Sequence, residues 1–108
     1  MIERGDYWVW SVNDDNELED PDTVGKWIIV APMRIIKNAF QSINELVETG
    51  EIYKAKYPHQ QHPEYDWDRY PLPVLCVYAD NTTKDRTLEL LKELGLETDE
   101  WRYDSNSY

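Results

Sequence analysis

The chain has 108 residues, of which 41% are hydrophobic and 13% are aromatic. This size and composition suit one folded domain over residues 1–108 and exclude a disordered chain. The 22 Asp and Glu residues outnumber the 11 Lys and Arg residues, so the formal net charge is -11. A field of that sign repels nucleic acid and acidic membranes at long range, so an anionic ligand needs a local basic pocket.

Cysteine usage and hydropathy bear on the cellular compartment. Cys76 is the single cysteine, and it lies in the apolar run 73–79. One cysteine forms no internal disulfide, which fits a reducing compartment, and we expect this thiol to be buried in a strand. No segment approaches the roughly 20 apolar residues of a membrane-spanning helix, and no signal peptide is evident. We therefore expect a cytoplasmic protein without a membrane partner.

The first predicted strand covers residues 7–12 and is rich in aromatic side chains. Successive side chains of a strand point to opposite faces of the sheet. Trp8 and Trp10 therefore share one face, while Val9 and Ser11 share the other. One of these faces must pack in the core, and the pattern leaves open which of the two it is.

A second strand is predicted at residues 26–31, after the acidic stretch 13–22, which suits a solvated connection. That connection is long enough to bring the first two strands side by side as an antiparallel pair. Pro32 then marks the start of a helix that ends at Gly50. Apolar side chains recur along it at the spacing of one helical face: Ile35, Ile36, Ala39, Phe40, Ile43, Leu46 and Val47.

Period-two alternation returns at residues 51–57 and predicts a third strand with Lys54 and Lys56 on one face. The proline-rich segment 58–73 then reads as a long loop. It carries two histidines and three acidic residues, namely His59, His62, Glu64, Asp66 and Asp68. Such a set could ligate a divalent cation or supply a general base, but its spacing matches no strong metal-binding pattern. We expect an exposed loop, with no metal and no cofactor.

The apolar run 74–79 predicts a central strand. Thr82 or Thr83 can cap a second helix that ends at Gly95, and a last strand is predicted at residues 97–103. The resulting order, ββαββαβ, predicts an α+β fold: a two-layer sandwich whose mostly antiparallel sheet carries both helices on one face. The other face stays uncovered, and an uncovered face with aromatic rings and positive charges is where we expect a ligand.

The predicted ligand-binding residues are three tryptophans and three basic side chains. They are Trp8, Trp10, Trp27, Lys54, Lys56 and Arg102. Indole rings stack on a base or another ring, while ammonium and guanidinium groups hold a phosphate. The alternative is that the tryptophans fill the core against the helices.

Several short stretches, taken together, resemble a known family. They are Gly25-Lys26-Trp27, the helix end at Gly50, Ala55-Lys56, residues 74–79, Leu94-Gly95 and Tyr103-Asp104. In these stretches the chain resembles the basophilic-leukaemia-expressed protein family. Its uncharacterised members are captioned phosphothreonine lyase domain proteins, and their fold is similar to that of the mRNA cap-binding translation initiation factor 4E.

The resemblance implies a curved antiparallel sheet with helices on its convex side and a nucleotide-like or phosphorylated ligand on its concave side. Trp8 and Trp10 match two tryptophans of an early strand of the cap-binding factor, and Trp27 matches one in the next strand. The lyase caption would require a base and several cations around a phosphate, for which Lys54, Lys56 and His62 are the local candidates.

Three functions are therefore compatible with the sequence. The favoured one is a small non-enzymatic binding module for a nucleotide, a capped RNA end or a phosphorylated peptide. The second is an acidic protein-interaction protein or a nucleic-acid mimic that acts through the acidic loop 14–22 and the helix faces. The third is a lyase that acts on a phosphorylated substrate.

Overall fold

A computed structural model describes residues 1–58 and 72–104 of the chain. Within them, six strands and two α-helices follow one another in the order βββαββαβ, and a short 3-10 helix at Pro21–Thr23 lies between the second and third strands. The elements are β1 (Ile2–Arg4), β2 (Trp8–Ser11), β3 (Gly25–Val30), α1 (Met33–Glu48), β4 (Lys54–Pro58), β5 (Val74–Ala79), α2 (Lys84–Glu93) and β6 (Trp101–Tyr103). The predicted loop side chains His59, His62, Glu64, Asp66 and Asp68 lie outside the described residues.

The strands form one open antiparallel sheet in the order β1-β2-β4-β5-β3-β6. Both helices pack on the same side of it, so the predicted α+β sandwich is confirmed. The extra strand β1 was not predicted, because its three residues are all exposed and show no alternation of apolar and polar side chains. β6 is shorter than predicted and begins at Trp101.

The first two predicted strands, β2 and β3, are not neighbours, so their predicted pairing is wrong. β4 and β5 lie between them in the sheet. The connection between β2 and β3 does not form a hairpin; it makes hydrogen bonds to other elements of the fold. The side-chain amide of Asn16 donates to the carbonyls of Val47, Ile52 and Tyr53 at 2.9–3.1 Å, which holds the connection against the end of α1.

The core lies between the sheet and the two helices. From α1, the predicted apolar stripe contributes Ile36, Phe40, Ile43 and Val47, which are at most 1% exposed. From α2 and the segment after it come Leu90, Leu91 and Leu96. The sheet side chains in this core alternate along each strand; they are Val9, Trp27, Ile29, Ala55, Tyr57, Leu75 and Val77. A single hydrophobic cluster therefore spans both layers.

The helix ends follow local chemistry. Gly50 has a φ of 85°, a left-handed conformation that glycine adopts without steric cost, and it ends α1 as predicted. Thr83 occupies the N-cap position of α2, but its side chain makes no capping hydrogen bond to the helix. Instead, the buried Asp80 carboxylate accepts the backbone N–H groups of Thr82 and Thr83 at 2.8 and 3.1 Å.

Asp80 also joins the long connection to the start of α2. Its second carboxylate oxygen accepts the backbone N–H of Asp20 at 2.9 Å. Burial acts to raise the pKa of Asp80, but the hydrogen bonds from Thr82, Asp20 and Thr83 outweigh it and hold that pKa below its ordinary value. In the part of the chain that the structure describes, neither helix has the length and apolar content needed to cross a bilayer.

Candidate functional site

The packing of β2 decides the orientation that its sequence leaves open. Val9 is 2% exposed and Ser11 is fully buried, and the Ser11 hydroxyl donates to the side-chain oxygen of Asn44 on α1 at 2.8 Å. The side chains of Val9 and Ser11 therefore face the helices. Trp8 and Trp10 point to the other side of the sheet, where both remain partly exposed.

The alternation continues across the neighbouring strands. Trp10 lies opposite Lys56 on β4, Lys54 lies opposite Tyr78 on β5, and Tyr78 lies opposite Lys26 on β3. Directly opposite residues of paired strands point to the same side of a sheet. We call this surface the helix-free face, and define it by Trp8, Trp10, Lys26, Lys54, Lys56 and Tyr78.

The two lysines of β4 lie over the aromatic rings of this face. The Lys56 Nζ is 4.0 Å from the centre of the Trp8 ring and 4.9 Å from that of Trp10. The Lys54 Nζ is 5.3 Å from the Trp10 ring centre and 4.8 Å from that of Tyr78. These distances are typical of cation–π contacts. The rings of Trp10 and Tyr78 stack with an angle of 25° and a centroid separation of 6.1 Å.

Lys54 and Lys56 differ from Lys26 and Arg102 in their charge pairing. Lys26 pairs with Asp104 at 3.0 Å, and Arg102 pairs with Glu100 at 2.8 Å. Among the residues that the structure describes, no carboxylate oxygen lies within 4.0 Å of the Lys54 or Lys56 amine. In a protein with a net charge of -11, this part of the surface is therefore locally basic.

Burial perturbs the titration of several groups on this face. It lowers the pKa of Lys56, and the neighbouring charges of Lys26 and Lys54 act in the same direction, against the effects of Cys76 and Asp104. Burial raises the pKa of the Cys76 thiol to about 11 and raises that of the Tyr78 hydroxyl. The thiol and the phenol are therefore neutral at physiological pH.

Two of the predicted ligand-binding residues do not join this group. Trp27 lies on the helix-covered face, which corrects the expectation that it shares a surface with Trp8 and Trp10. It is 7% exposed, and its indole N–H donates to the Lys84 carbonyl of α2 at 2.8 Å. The reason is register, because Trp27 lies opposite the fully buried Val77.

Arg102 is the second of these residues. It lies opposite Lys26 and points to the same side as the helix-free face, but β6 is at the edge of the sheet. Its guanidinium donates to one Glu100 oxygen at 2.8 and 3.1 Å, and its side chain is 61% exposed. Arg102 is therefore separated from the tryptophans of β2 by three strands and is already engaged by a carboxylate.

Tyr78 and Lys26 belong to the helix-free face, but the sequence did not single them out. Tyr78 lies in the apolar run 74–79, which predicts a central strand and gives no sign of which face its ring occupies. The available signal was the spacing of two between Cys76 and Tyr78, which places both on the side of Lys56. Lys26 and Trp27 are neighbours in the chain, so their side chains point to opposite faces, and the burial of Trp27 under α2 places Lys26 on the helix-free face.

A small cavity adjoins the helix-free face at Lys54. It measures about 260 Å³ and is lined by Val12, Asn13, Asp14, Asn16, Tyr53 and Lys54. Lys54 therefore contributes to two adjoining surfaces, one aromatic and one polar.

Comparisons of the chain with protein-family models, with curated proteins and with solved structures found no match.

Proposed function

We propose that the chain is a non-enzymatic binding module that holds a flat, anionic, nucleotide-like ligand on the helix-free face. The observation that carries this proposal is the position of the Lys56 amine over Trp8 and Trp10 with no carboxylate of the described residues within 4.0 Å. An aromatic ligand can stack on an indole ring while a phosphate displaces the lysine toward itself. Lys54 supplies a second cation two residues along the same strand.

The proposed site differs from the predicted one in its members. Trp8, Trp10, Lys54 and Lys56 remain. Tyr78, which is 4% exposed, supports this group as the ring that stacks on Trp10 and is not itself a contact for the ligand. Trp27 leaves the site, because its indole is engaged by α2. A cytoplasmic location belongs to the same proposal, since a buried free thiol at Cys76 is suited to a reducing compartment.

The family resemblance and the two other functions remain predictions. A two-layer α+β arrangement occurs in many unrelated proteins, so it does not by itself support the cap-binding likeness. For the lyase, the two histidines lie outside the described residues. For an acidic partner surface, the connection 13–22 supplies carboxylates, but Asn16 and Asp20 within it already hold the fold together.

Titration with mononucleotides tests the proposed binding. We expect AMP to quench tryptophan fluorescence, adenosine to bind more weakly because it lacks the phosphate, and added salt to weaken AMP binding. Trp10→Ala removes a stacking surface of about 1–3 kcal/mol per base, so we expect roughly a tenfold loss of affinity. Absence of any fluorescence change at millimolar AMP would overturn the proposal.

A matched set of charge variants separates local from global electrostatics. Lys54→Gln and Lys56→Gln each remove one positive charge from the helix-free face, and Lys37→Gln removes one from the exposed side of α1. All three change the net charge equally. We expect the first two to weaken AMP binding and the third to leave it unchanged. Equal weakening by all three variants would mean that net charge alone governs the interaction.

A further inference from the structure

The strand β1 forms one edge of the described sheet, and its hydrogen bonds to β2 decide which of its backbone groups point outward. The Met1 carbonyl accepts the N–H of the residue after β2 at 3.0 Å, and the Gly5 N–H donates to the first carbonyl of β2 at 2.8 Å. Hydrogen-bonded and non-hydrogen-bonded pairs alternate in an antiparallel ladder, so the backbone of Glu3 also faces β2. The N–H and C=O groups of Ile2 and Arg4 therefore point away from the sheet.

These outward groups lie on a strand that is open to solvent. All three residues of β1 are exposed, and Met1 and Ile2 are 56% and 41% exposed. Within the described residues, no group forms a hydrogen bond to the outward N–H and C=O groups of Ile2 and Arg4. Proteins commonly block such an edge with a proline, a lysine or a bulge. β1 contains no proline or lysine, and its register with β2 is continuous.

The charge of Glu3 determines which strand fits this edge. A second copy of β1, paired antiparallel through the outward groups of Ile2 and Arg4, would place two Glu3 side chains directly opposite each other, which is destabilising. A basic side chain at that position pairs with the Glu3 carboxylate instead. Asp6, in the hairpin between β1 and β2, adds a second exposed carboxylate, and no described cation forms an ion pair with either. The net charge of -11 also attracts a basic partner.

We propose that β1 binds an extended basic segment of another protein, which joins the sheet as an additional strand. The backbone of this segment forms hydrogen bonds with Ile2 and Arg4. A lysine or arginine of the segment pairs with Glu3, which lies opposite Trp10 and hence on the helix-free side. An apolar side chain next to it in the segment points to the helix side and covers Ile2. The recognised pattern is therefore an alternation of basic and apolar residues, and it requires no ligand at Lys54 or Lys56.

Two capped peptides of equal length are suitable probes for the full chain. Acetyl-TVKVKVT-amide alternates lysine with valine, and acetyl-TVEVEVT-amide carries glutamate in place of both lysines. Titrations followed by NMR at physiological ionic strength measure the affinity of each. We expect the lysine peptide to bind roughly tenfold more tightly, because it places opposite rather than like charges beside Glu3. Equal affinity of the two peptides, or no binding of the lysine peptide at millimolar concentration, would overturn the proposal.

Hydrogen exchange of backbone amides identifies the strand that the peptide joins. In the free chain, the amides of Ile2 and Arg4 should exchange fast because they point to solvent, whereas those of Glu3 and Gly5 are hydrogen-bonded to β2. The lysine peptide should slow exchange several-fold at Ile2 and Arg4. Diffuse attraction of a cationic peptide to the acidic stretch 13–22 would leave both amides unprotected. Binding without that protection would therefore contradict strand addition at β1.

Variants of β1 separate the backbone contribution from the charge. Ile2→Pro removes one outward donor and leaves the hydrogen bonds to β2, so we expect it to weaken binding of the lysine peptide several-fold. Glu3→Lys should reverse the preference in favour of the glutamate peptide. Glu45→Lys, on the exposed side of α1, changes the net charge equally and should keep the preference for lysine. Circular dichroism verifies that the variants are folded. An unchanged preference in Glu3→Lys would overturn the proposal.

Discussion

On β2 and β4, neighbouring residues lie in opposite environments. Val9 and Ala55 pack beneath the helices and are at most 2% exposed, whereas Trp10 and Lys56, each the next residue along its strand, lie on the helix-free face. Tryptophan occurs on both sides of the sheet. Trp27 is closed off by α2, while Trp8 and Trp10 are covered on one side by lysine amines.

The comparison shows that aromatic content does not identify a binding surface. An indole in contact with a helix serves the core, and its N–H finds a backbone carbonyl, as Trp27 does. An indole in contact with an amine that no described carboxylate pairs, as for Trp8 and Trp10, keeps a face that a ligand can reach once the lysine side chain moves. The division between the two faces should therefore be visible in the stability of variants, most strongly where an indole is removed from the core.

Replacement of a tryptophan should cost much more stability on the helix-covered face than on the helix-free face. Trp27→Ala removes a nearly buried indole from the core, and we expect a loss of about 3–5 kcal/mol in the free energy of unfolding. Trp10→Ala is the matched control, and its loss should be about 0.5–1.5 kcal/mol, the value of an aromatic pair. Urea denaturation measures both. Equal losses would contradict the assignment of the two faces.

The buried carboxylate of Asp80 should make stability depend on acid. Its pKa is held below the ordinary value, so its contribution is complete above about pH 4 and is lost as the pH falls toward the folded-state pKa. Asp80→Asn should reduce the free energy of unfolding at neutral pH by about 1.5–3 kcal/mol and should make this free energy less dependent on pH in the acid range. The exposed Asp85→Asn is the control. If the free energy of unfolding of Asp80→Asn fell with acid as steeply as that of the wild type, the account would be contradicted.

Gly25 allows the indole of Trp101 to lie against β3 on the helix-covered face. A Cβ at this position would lie 2.6 Å from a Trp101 ring atom and 2.6 Å from the Arg102 carbonyl oxygen. We therefore expect Gly25→Ala to lower the free energy of unfolding by about 1–3 kcal/mol through overpacking. Gly5→Ala is the control, since its Cβ would come no closer than 3.4 Å to the Trp8 carbonyl oxygen. Thermal unfolding of both variants checks the difference.

Cys76 lies on the helix-free face but is buried there, so its effect on the pH dependence of stability should appear only at alkaline pH. Its folded-state pKa of about 11 lies above the ordinary value, so the neutral thiol stabilises the fold below about pH 8.5 and this contribution is lost as the pH rises toward 11. Unfolding measured from pH 7 to pH 10 should show this decline. Cys76→Ala should reduce its slope, and an unchanged slope would contradict the burial of the thiol.

Much of the fold could be predicted from periodicity. The stripe of Ile36, Phe40, Ile43 and Val47 predicted α1 because burial of one helical face leaves a spacing that the sequence displays directly. The pairing of β2 with β4 could not be predicted in this way. It depends on a connection held by Asn16 and Asp20, whose hydrogen bonds to distant carbonyl and carboxylate groups leave no local pattern.

Alternation of side chains along the strands predicted part of the candidate site. Alternation placed Lys54 with Lys56 and Trp8 with Trp10, but it could not orient either pair, since a strand's two faces are equivalent until something packs on one. Trp27 was therefore grouped with the wrong side. The role of Asp80 in ordering the turn before α2 was missed, because an acidic residue after an apolar strand is typical of a solvated turn.

NMR of the indole N–H groups during AMP titration tests the central proposal most directly, because it compares the two faces in one experiment. We predict shifts for the signals of Trp8 and Trp10 that saturate with AMP, and unchanged signals for Trp27 and Trp101, whose rings contact each other on the helix-covered face. Shifts confined to Trp27 and Trp101, or no shifts in any of the four at millimolar AMP, would contradict the account.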